Sequence, residues 1–325
     1  MTLPRRQFLK LAGFAAISTT VSRPVFAQAY PSRPVKLIVP FTAGGSTDLI
    51  GRIMCQWLTD RLGHSVVVDN RPGGGTNIGT QVVANSQPDG YTLLFTVTTH
   101  TINPSLYKTL PFDFRRDFTQ VAGLAELPLV LSVHPSLPVK TAAEFIAYCK
   151  ANPGKVTMAS FGARTVSHLV IELIKSSTGI EVLHVPYAGG SAMMVDMLPG
   201  RIQAGVDALP NQLPHVKSGA VRALAIMSTA RTPALPEVPT LAEVIPSFDV
   251  SGWTGVAAPH GTPEPIVERL NREINAGLDD PGVRKRFDEV GAVPFKLTTA
   301  EARSRISSDI EKWAKVVKAA GIEPQ

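Results

Sequence analysis

Apolar residues in the first third of the chain recur with two alternating periods. The runs VKLIVPF from Val35, HSVVVDN from His64 and YTLLFTV from Tyr91 are short and nearly continuous, as strands buried on both faces are. Between the first two, Leu49, Ile50, Ile53, Met54, Trp57 and Leu58 share one face of a helix, and TNIGTQVVAN predicts a second helix before Tyr91. The order βαβαβ predicts a parallel sheet covered by helices on both faces.

A second series repeats the architecture without repeating the sequence. It reads KVTMAS, a helix from about Thr165 to Ser177, EVLHVPY, a helix around Met193 to Leu198, AGVDA and VRALAIMS. The long apolar run VAGLAELPLVLSVH contains Pro128, which a single buried strand would not accept, so it is read as a chain crossing between domains. FDVSGWTGVAAP, after the proline-punctuated RTPALPEVPTLAEVIP, is read as a second crossing. A helix then follows with Thr262 as N-cap, Pro263 in its first position, and Ile266, Val267, Leu270 and Ile274 on one face. A final helix runs from about Thr299 to Ala319.

The expected fold is α/β, with two doubly wound lobes, two interdomain crossings and a ligand cleft between the lobes. Residues 30–127 plus 251–325 form the first lobe and residues 128–250 the second. Ligands of open α/β sheets sit beyond the carboxyl ends of the strands, so the loops after the strands are where chemistry is expected.

The first 29 residues stand apart. PRRQFLKLAGFAAISTT sets Arg5 and Arg6 before Phe8, Leu9 and Lys10 and a short apolar run, the pattern of a twin-arginine export signal. Ala27-Gln28-Ala29 offers a small-residue cleavage pattern, which predicts a mature chain starting at Tyr30 and a periplasmic location. The whole chain carries a formal net charge of +6, but the leader holds four of the 32 basic side chains and none of the 26 acidic ones, which leaves +2. No stripe of Lys and Arg interleaved with aromatics remains, and nucleic acid is not an expected partner. Cys55 and Cys149 both fall among apolar neighbours in helical patterns and are read as core thiols, with a mutual bridge as the alternative. The seven histidines are scattered and no Cys/His cluster has zinc spacing, so neither metal nor cofactor is expected.

Two glycine-rich loops invite a phosphate-binding reading, TAGGSTD and RPGGGTNIGT. Neither has the lysine that a Walker loop places after its last glycine, and neither fits G-x-G-x-x-G. Ser46, His100 and His168 could be assembled into a nucleophilic triad, although G-x-S-x-G is absent from the first loop. The remaining chemistry is anion binding by backbone, since a glycine turn entering a helix offers free N–H groups and the positive end of the helix dipole. Three loops have that composition: Thr42 to Asp48, Gly73 to Gly79 and Ser160 to Ser167. Each also has a purely structural account, with glycines in tight turns, Thr165 as a cap and Asp48 in the first helical turn.

Taken in order, YPSRPVKLIVPFTAGGSTDLIGR, VVVDNRPGGGTNIG, PDGYTLLF, HLVIEL, VPYAGGSA, ALPEVPTLAE and WTGVAAPHGTP resemble the periplasmic substrate-binding receptors of tripartite tricarboxylate transporters, often called Bug receptors. The resemblance covers essentially the whole chain after the leader. It implies a monomeric, non-catalytic receptor that closes on a small organic carboxylate and delivers it to integral-membrane permease subunits. A secreted hydrolase using Ser or His, and a receptor serving a sensor kinase, remain as alternatives.

The ligand-binding set that follows is Phe41, Thr42, Ala43, Gly44, Gly45, Ser46, Asp48, Thr76, Asn77 and Thr99 on the first lobe, with Ser160, Arg164, Thr165, His168, Tyr187 and Asp207 on the second. Asp48 could reach the ammonium group of an amino-acid ligand or could only cap its helix. Three positions depart from the family pattern: Thr42 replaces a common proline, Ala188 a common lysine, and Arg164 a usual glycine.

Overall fold

The structure is a computed structural model that describes residues 30–246 and 248–324, so the leader lies outside the described residues. Strand β1 (Val35–Val39) runs into α1 (Ser46–Leu62), β2 (Val66–Asn70), α2 (Asn77–Ala84), β3 (Thr92–Val97), α3 (Thr99–Leu106) and β4 (Phe118–Leu127). The chain continues through β5 (Leu129–Val133), α4 (Ala142–Ala151), β6 (Thr157–Ser160), α5 (Val166–Thr178), β7 (Leu183–Pro186), α6 (Gly190–Met197), β8 (Ala204–Ala208), α7 (Leu209–Lys217) and β9 (Arg222–Ile226). It ends with β10 (Gly252–Pro259), α8 (Glu264–Asp279), α9 (Pro281–Glu289), β11 (Val293–Pro294) and α10 (Thr299–Ala319).

The strands form two sheets, ordered β11-β4-β10-β3-β1-β2 and β7-β6-β8-β5-β9. The βαβ units are parallel as expected: β1 pairs with β2 and β3, and β6 with β7 and β8. The sheets as wholes are mixed, because β10 runs antiparallel to β3 and β4, and β5 antiparallel to β8 and β9. These strands enter their sheets from the other sheet, not through a crossover helix, so nothing obliges them to run parallel.

Pro128 ends β4 in the first sheet, and β5 begins one residue later in the second. Leu127 pairs with Gly252 while Leu129 pairs with Ala208. A proline has no N–H to continue a ladder, and the Pro128 carbonyl instead accepts from the Leu209 amide at 2.8 Å. The return strand lies alongside: Met227 N donates to Leu129 O at 2.9 Å and Val250 N to Met227 O at 2.8 Å.

Helix α8 buries Val267, Leu270, Ile274 and Leu278 at three- and four-residue spacing, and each such burial contributes roughly 1.5–3 kcal/mol. It starts one residue later than the sequence suggests. Pro263 is the N-cap, and Thr262 instead donates from Oγ1 to Pro259 O at 2.8 Å, closing the turn after β10. Helix α10 opens on a capping box, in which Thr298 Oγ1 accepts from Glu301 N and Glu301 Oε2 from Thr298 N. Cys55 and Cys149 are buried free thiols, and burial raises them to about 12 and about 11. Among the described residues no helix is long and apolar enough to cross a membrane.

Candidate functional site

The loops after β1, after β2 and after β6 converge where the two sheets face each other. In the first loop, Asp48 sits in the opening turn of α1 and is almost wholly buried. Its Oδ2 accepts from Gly44 N and from Arg52 Nε, both at 2.9 Å. Burial alone would raise this carboxyl, but the bonds from Arg52 and Gly44, with the Asn70 amide nearby, outweigh it and hold the group below its usual range. Asp48 therefore folds the Gly44–Gly45 turn, and it lines neither of the cavities described below.

In the second loop, Gly73, Gly74, Gly75 and Thr76 all have positive φ, which favours glycine and strains Thr76. Asn103, from α3, holds this shape: its Nδ2 donates to Gly75 O at 2.9 Å, Asn77 Oδ1 at 2.8 Å and Thr76 Oγ1 at 3.3 Å. Tyr107 Oη donates to Gly74 O at 2.9 Å.

The second-lobe loop runs from Ser160 at the end of β6 to Thr165, the N-cap residue of α5. Thr165 Oγ1 donates to Gly162 O at 2.7 Å and Ser167 Oγ accepts from Phe161 N at 3.1 Å. Arg164 has φ +59°, a conformation in which glycine costs nothing, so the family's usual glycine has a backbone reason. Its amide donates to His168 Nδ1 at 3.0 Å, and its guanidinium carbon lies 4.6 Å above the Tyr107 ring of the first lobe.

The lobes meet through specific contacts. Thr42 and Ser191 share a hydroxyl hydrogen bond at 3.1 Å, and Ser191 Oγ donates to Ala43 O at 3.0 Å. Ser46 Oγ accepts from Asn211 N at 3.0 Å, Thr99 Oγ1 from Val166 N at 3.3 Å, and Phe41 meets Phe161 edge-on at 5.8 Å. Between these contacts lies a cavity of about 380 Å³, walled by Phe41, Gly73 to Thr76, Tyr107, Phe161 to Thr165, Tyr187 and Ala188. Among those lining residues Arg164 alone carries a charge. An apolar pocket of about 40 Å³ shares Phe41 and Phe161 with it and reaches Thr99 and Trp253.

Phe41, Thr76, Arg164, Thr165 and Tyr187 are thus brought together on one cavity wall, and Thr99 on the adjoining pocket. Thr42, Ala43 and Ser46 spend their polar groups on the contact with Ser191 and Asn211, with Gly44 and Gly45 shaping that turn. Asn77 accepts from Asn103. Ser160 is fully buried against His184, whose Nε2 lies 2.7 Å from Ser160 Oγ. Asp207 lies beneath the start of α6, where a side chain on Gly190 would strike its carboxylate. The triad alternative is not assembled. Ser46 bonds Asn211, His100 Nε2 lies 2.9 Å from Thr80 Oγ1, and His168 Nδ1 is taken by Arg164 N. Tyr107, Phe161, Ser191 and Asn211 were not named as site residues; of these, Phe161 stood inside the Ser160–Ser167 loop and Ser191 inside VPYAGGSA.

Two mixed sheets with helices on their faces, joined by paired crossings beside a cavity lined by Arg164, are the architecture of two-lobed solute-binding proteins. The chain belongs to the tripartite tricarboxylate transporter receptor family, whose description, "Tripartite tricarboxylate transporter family receptor", fits residues 50–322. It is 39% identical over 318 residues to Protein BugT of Bordetella pertussis, covering 97% of this chain and 98% of that protein. An R. palustris protein solved with adipate superposes with a TM-score of 0.88 at 36% identity, over 91% of this chain and 100% of that one. MatC from Rhodopseudomonas palustris, solved with bound malate, gives 0.85 at 31% identity, over 89% of this chain and 100% of that one.

Proposed function

We propose that this chain, exported by the twin-arginine route and cleaved near Ala29, is a periplasmic receptor that closes two lobes, 30–127 plus 251–325 and 128–250, on a small organic carboxylate. Delivery to integral-membrane permease subunits completes the reading; no catalytic step belongs to it. The observation that carries it is the cavity of about 380 Å³ between the lobes, whose walls set one guanidinium, Arg164, across from a glycine-rich turn. Adipate and malate in the solved relatives support the same class of ligand. Ligands with an ammonium group are disfavoured, because Asp48 does not line the cavity, its Oδ2 is taken by Gly44 and Arg52, and among the described residues no acidic side chain lines the cavity.

Thermal-shift and calorimetric titration with adipate, malate, aromatic acids, amino acids and nucleotides test this. A non-zwitterionic carboxylate at about a hundred times its Kd should stabilise the fold by about 2.7 kcal/mol. A larger shift from glutamate, aspartate or nucleotides than from every simple carboxylate would sink the proposal. Arg164→Gly should weaken the best carboxylate by about 1.5–3 kcal/mol, the scale of a hydrogen bond to a charged group. Equal affinities in the two proteins would remove Arg164 from the contact.

A further inference from the structure

His168 and His184 stack with ring centroids 4.1 Å apart and planes 12° from parallel, behind the wall that carries Arg164. Both imidazoles hold the same loop. His168 Nδ1 accepts the Arg164 amide at 3.0 Å. His184 Nε2 meets Ser160 Oγ at 2.7 Å, and that hydroxyl in turn reaches Gly162 O at 3.1 Å. Because Nδ1 accepts, the proton of neutral His168 sits on Nε2, which faces Glu172 Oε1 at 3.7 Å. A second proton could only go on Nδ1, where it would meet the Arg164 N–H head-on and convert an attraction into a clash of two donors.

We infer that His168 is a positioning residue of the ligand site: its neutral imidazole holds Arg164 on the cavity wall, and acidification frees that loop and weakens ligand binding. This rests on the reading that the cavity at Arg164 takes the carboxylate. Non-glycine residues resist φ +59°, so residue 164 keeps that conformation only while its surroundings impose it. The bond to His168 is part of that constraint.

The charges around His168 come from four directions. Glu172 and Lys175 lie on its own helix, with Lys175 Nζ 2.9 Å from both Glu172 oxygens. His184 covers its face from β7, the Arg164 guanidinium lies on the loop, and Glu323 of the C-terminal segment lines the same 280 Å³ cavity as His168, Arg164 and Glu172. Burial leads in lowering His168, Glu172 opposes it, and Lys175 and Arg164 add to it. His184 falls to about 4, through burial first and then His168 and Lys175. The released state is therefore reached below the ordinary histidine range, and the intact site prevails near neutrality.

The test uses the full mature chain and two substitutions. His168→Asn keeps an acceptor near the Nδ1 position but cannot titrate; His168→Phe fills the space without an acceptor. In ligand-free protein, the hydrogen-exchange protection factor of the Arg164 amide should fall at least about tenfold between pH 7.5 and 4.5 in the parent. It should be low at every pH in His168→Phe, and high with little pH dependence in His168→Asn. Affinity for adipate or malate should follow the same three patterns. Protection that is pH-independent in the parent, or unchanged by His168→Phe, overturns the inference whether or not either acid binds. Failure of both acids to bind while protection behaves as stated would instead count against the carboxylate reading of the cavity.

Discussion

Gly189→Ala is expected to hold the lobes apart and to weaken ligand binding by about 30- to 1000-fold, while melting close to the parent. Gly189 caps α6 at φ +151°, and a Cβ there would fall inside van der Waals contact with Thr42 Oγ1 and lie 3.4 Å from Thr42 Cβ. The clash lies across the lobe contact, not within a core, so the molecule can relieve it by opening. Opening forfeits the Thr42–Ser191 bond and the bond from Ser191 to Ala43 O. Backbone and contact strain of about 1–3 kcal/mol, with about 1 kcal/mol more from distortion of those two hydrogen bonds in the closed arrangement, sets the closed state back by roughly 2–4 kcal/mol. Apparent affinity falls by the same factor as the closed population. Titration calorimetry with the best carboxylate, beside small-angle scattering with and without it, checks both parts. The parent should contract on binding and Gly189→Ala should not. Adding Thr42→Ala removes the hydroxyl that is struck and should restore part of the affinity. If Gly189→Ala binds as tightly as the parent, the contact between Thr42 and α6 is not part of the bound state.

The alternation of apolar runs and helical stretches placed most of the strands and helices because each is a local signal: period, cap, proline. Pro128 is the clearest case, since one missing N–H divides a continuous apolar run between two sheets. The direction of β10 and β5 was not legible, because a strand's sequence records its burial and not the orientation of the neighbour it meets. At the site, the glycine loops and Arg164 could be found from composition. The roles of Tyr107 and Phe161 could not, since each contributes through a residue distant in sequence: Gly74 O and the Arg164 guanidinium for one, Phe41 for the other. Local sequence also gives no depth. Asp48 and His168 lie in the first turns of helices that leave the site loops and Asp207 near the end of β8, yet none of the three lines the 380 Å³ cavity.

Asp207 should show that depth through its pH response, and Asp207→Asn is expected to stabilise the protein by about 2–4 kcal/mol at pH 8 and by little or nothing at pH 4.5. Its carboxyl is 2% exposed and is raised to about 7, by burial first, against partial compensation from Asn211, Ala208 and Gln212. Asn211 Nδ2 lies 2.5 Å from Oδ2 and the Ala208 amide 2.7 Å from Oδ1. In the unfolded chain this group ionises near 3.8. As pH rises from about 4 to 7 the unfolded state sheds its proton first, so the folded state loses ground; above 7 both are ionised and the deficit is constant, on the order of 4 kcal/mol. Asparagine carries no such deficit, and Asn211 can turn its amide to offer an oxygen where it now offers an N–H. His100 and His184, each lowered to about 4, and the lowered His168 work in the opposite sense. Their neutral forms stabilise the fold above about pH 6.5 and that stability is lost as pH falls toward 4, but the loss is common to both proteins and cancels in their difference. Urea unfolding of the parent and Asp207→Asn at half-unit steps from pH 4.5 to 8 measures that difference. Curves that diverge with rising pH place the buried carboxyl under α6 as a group that is neutral through much of the acid range. Parallel curves would mean that Asp207 ionises at an ordinary value, with water or a ligand reaching it at the start of α6.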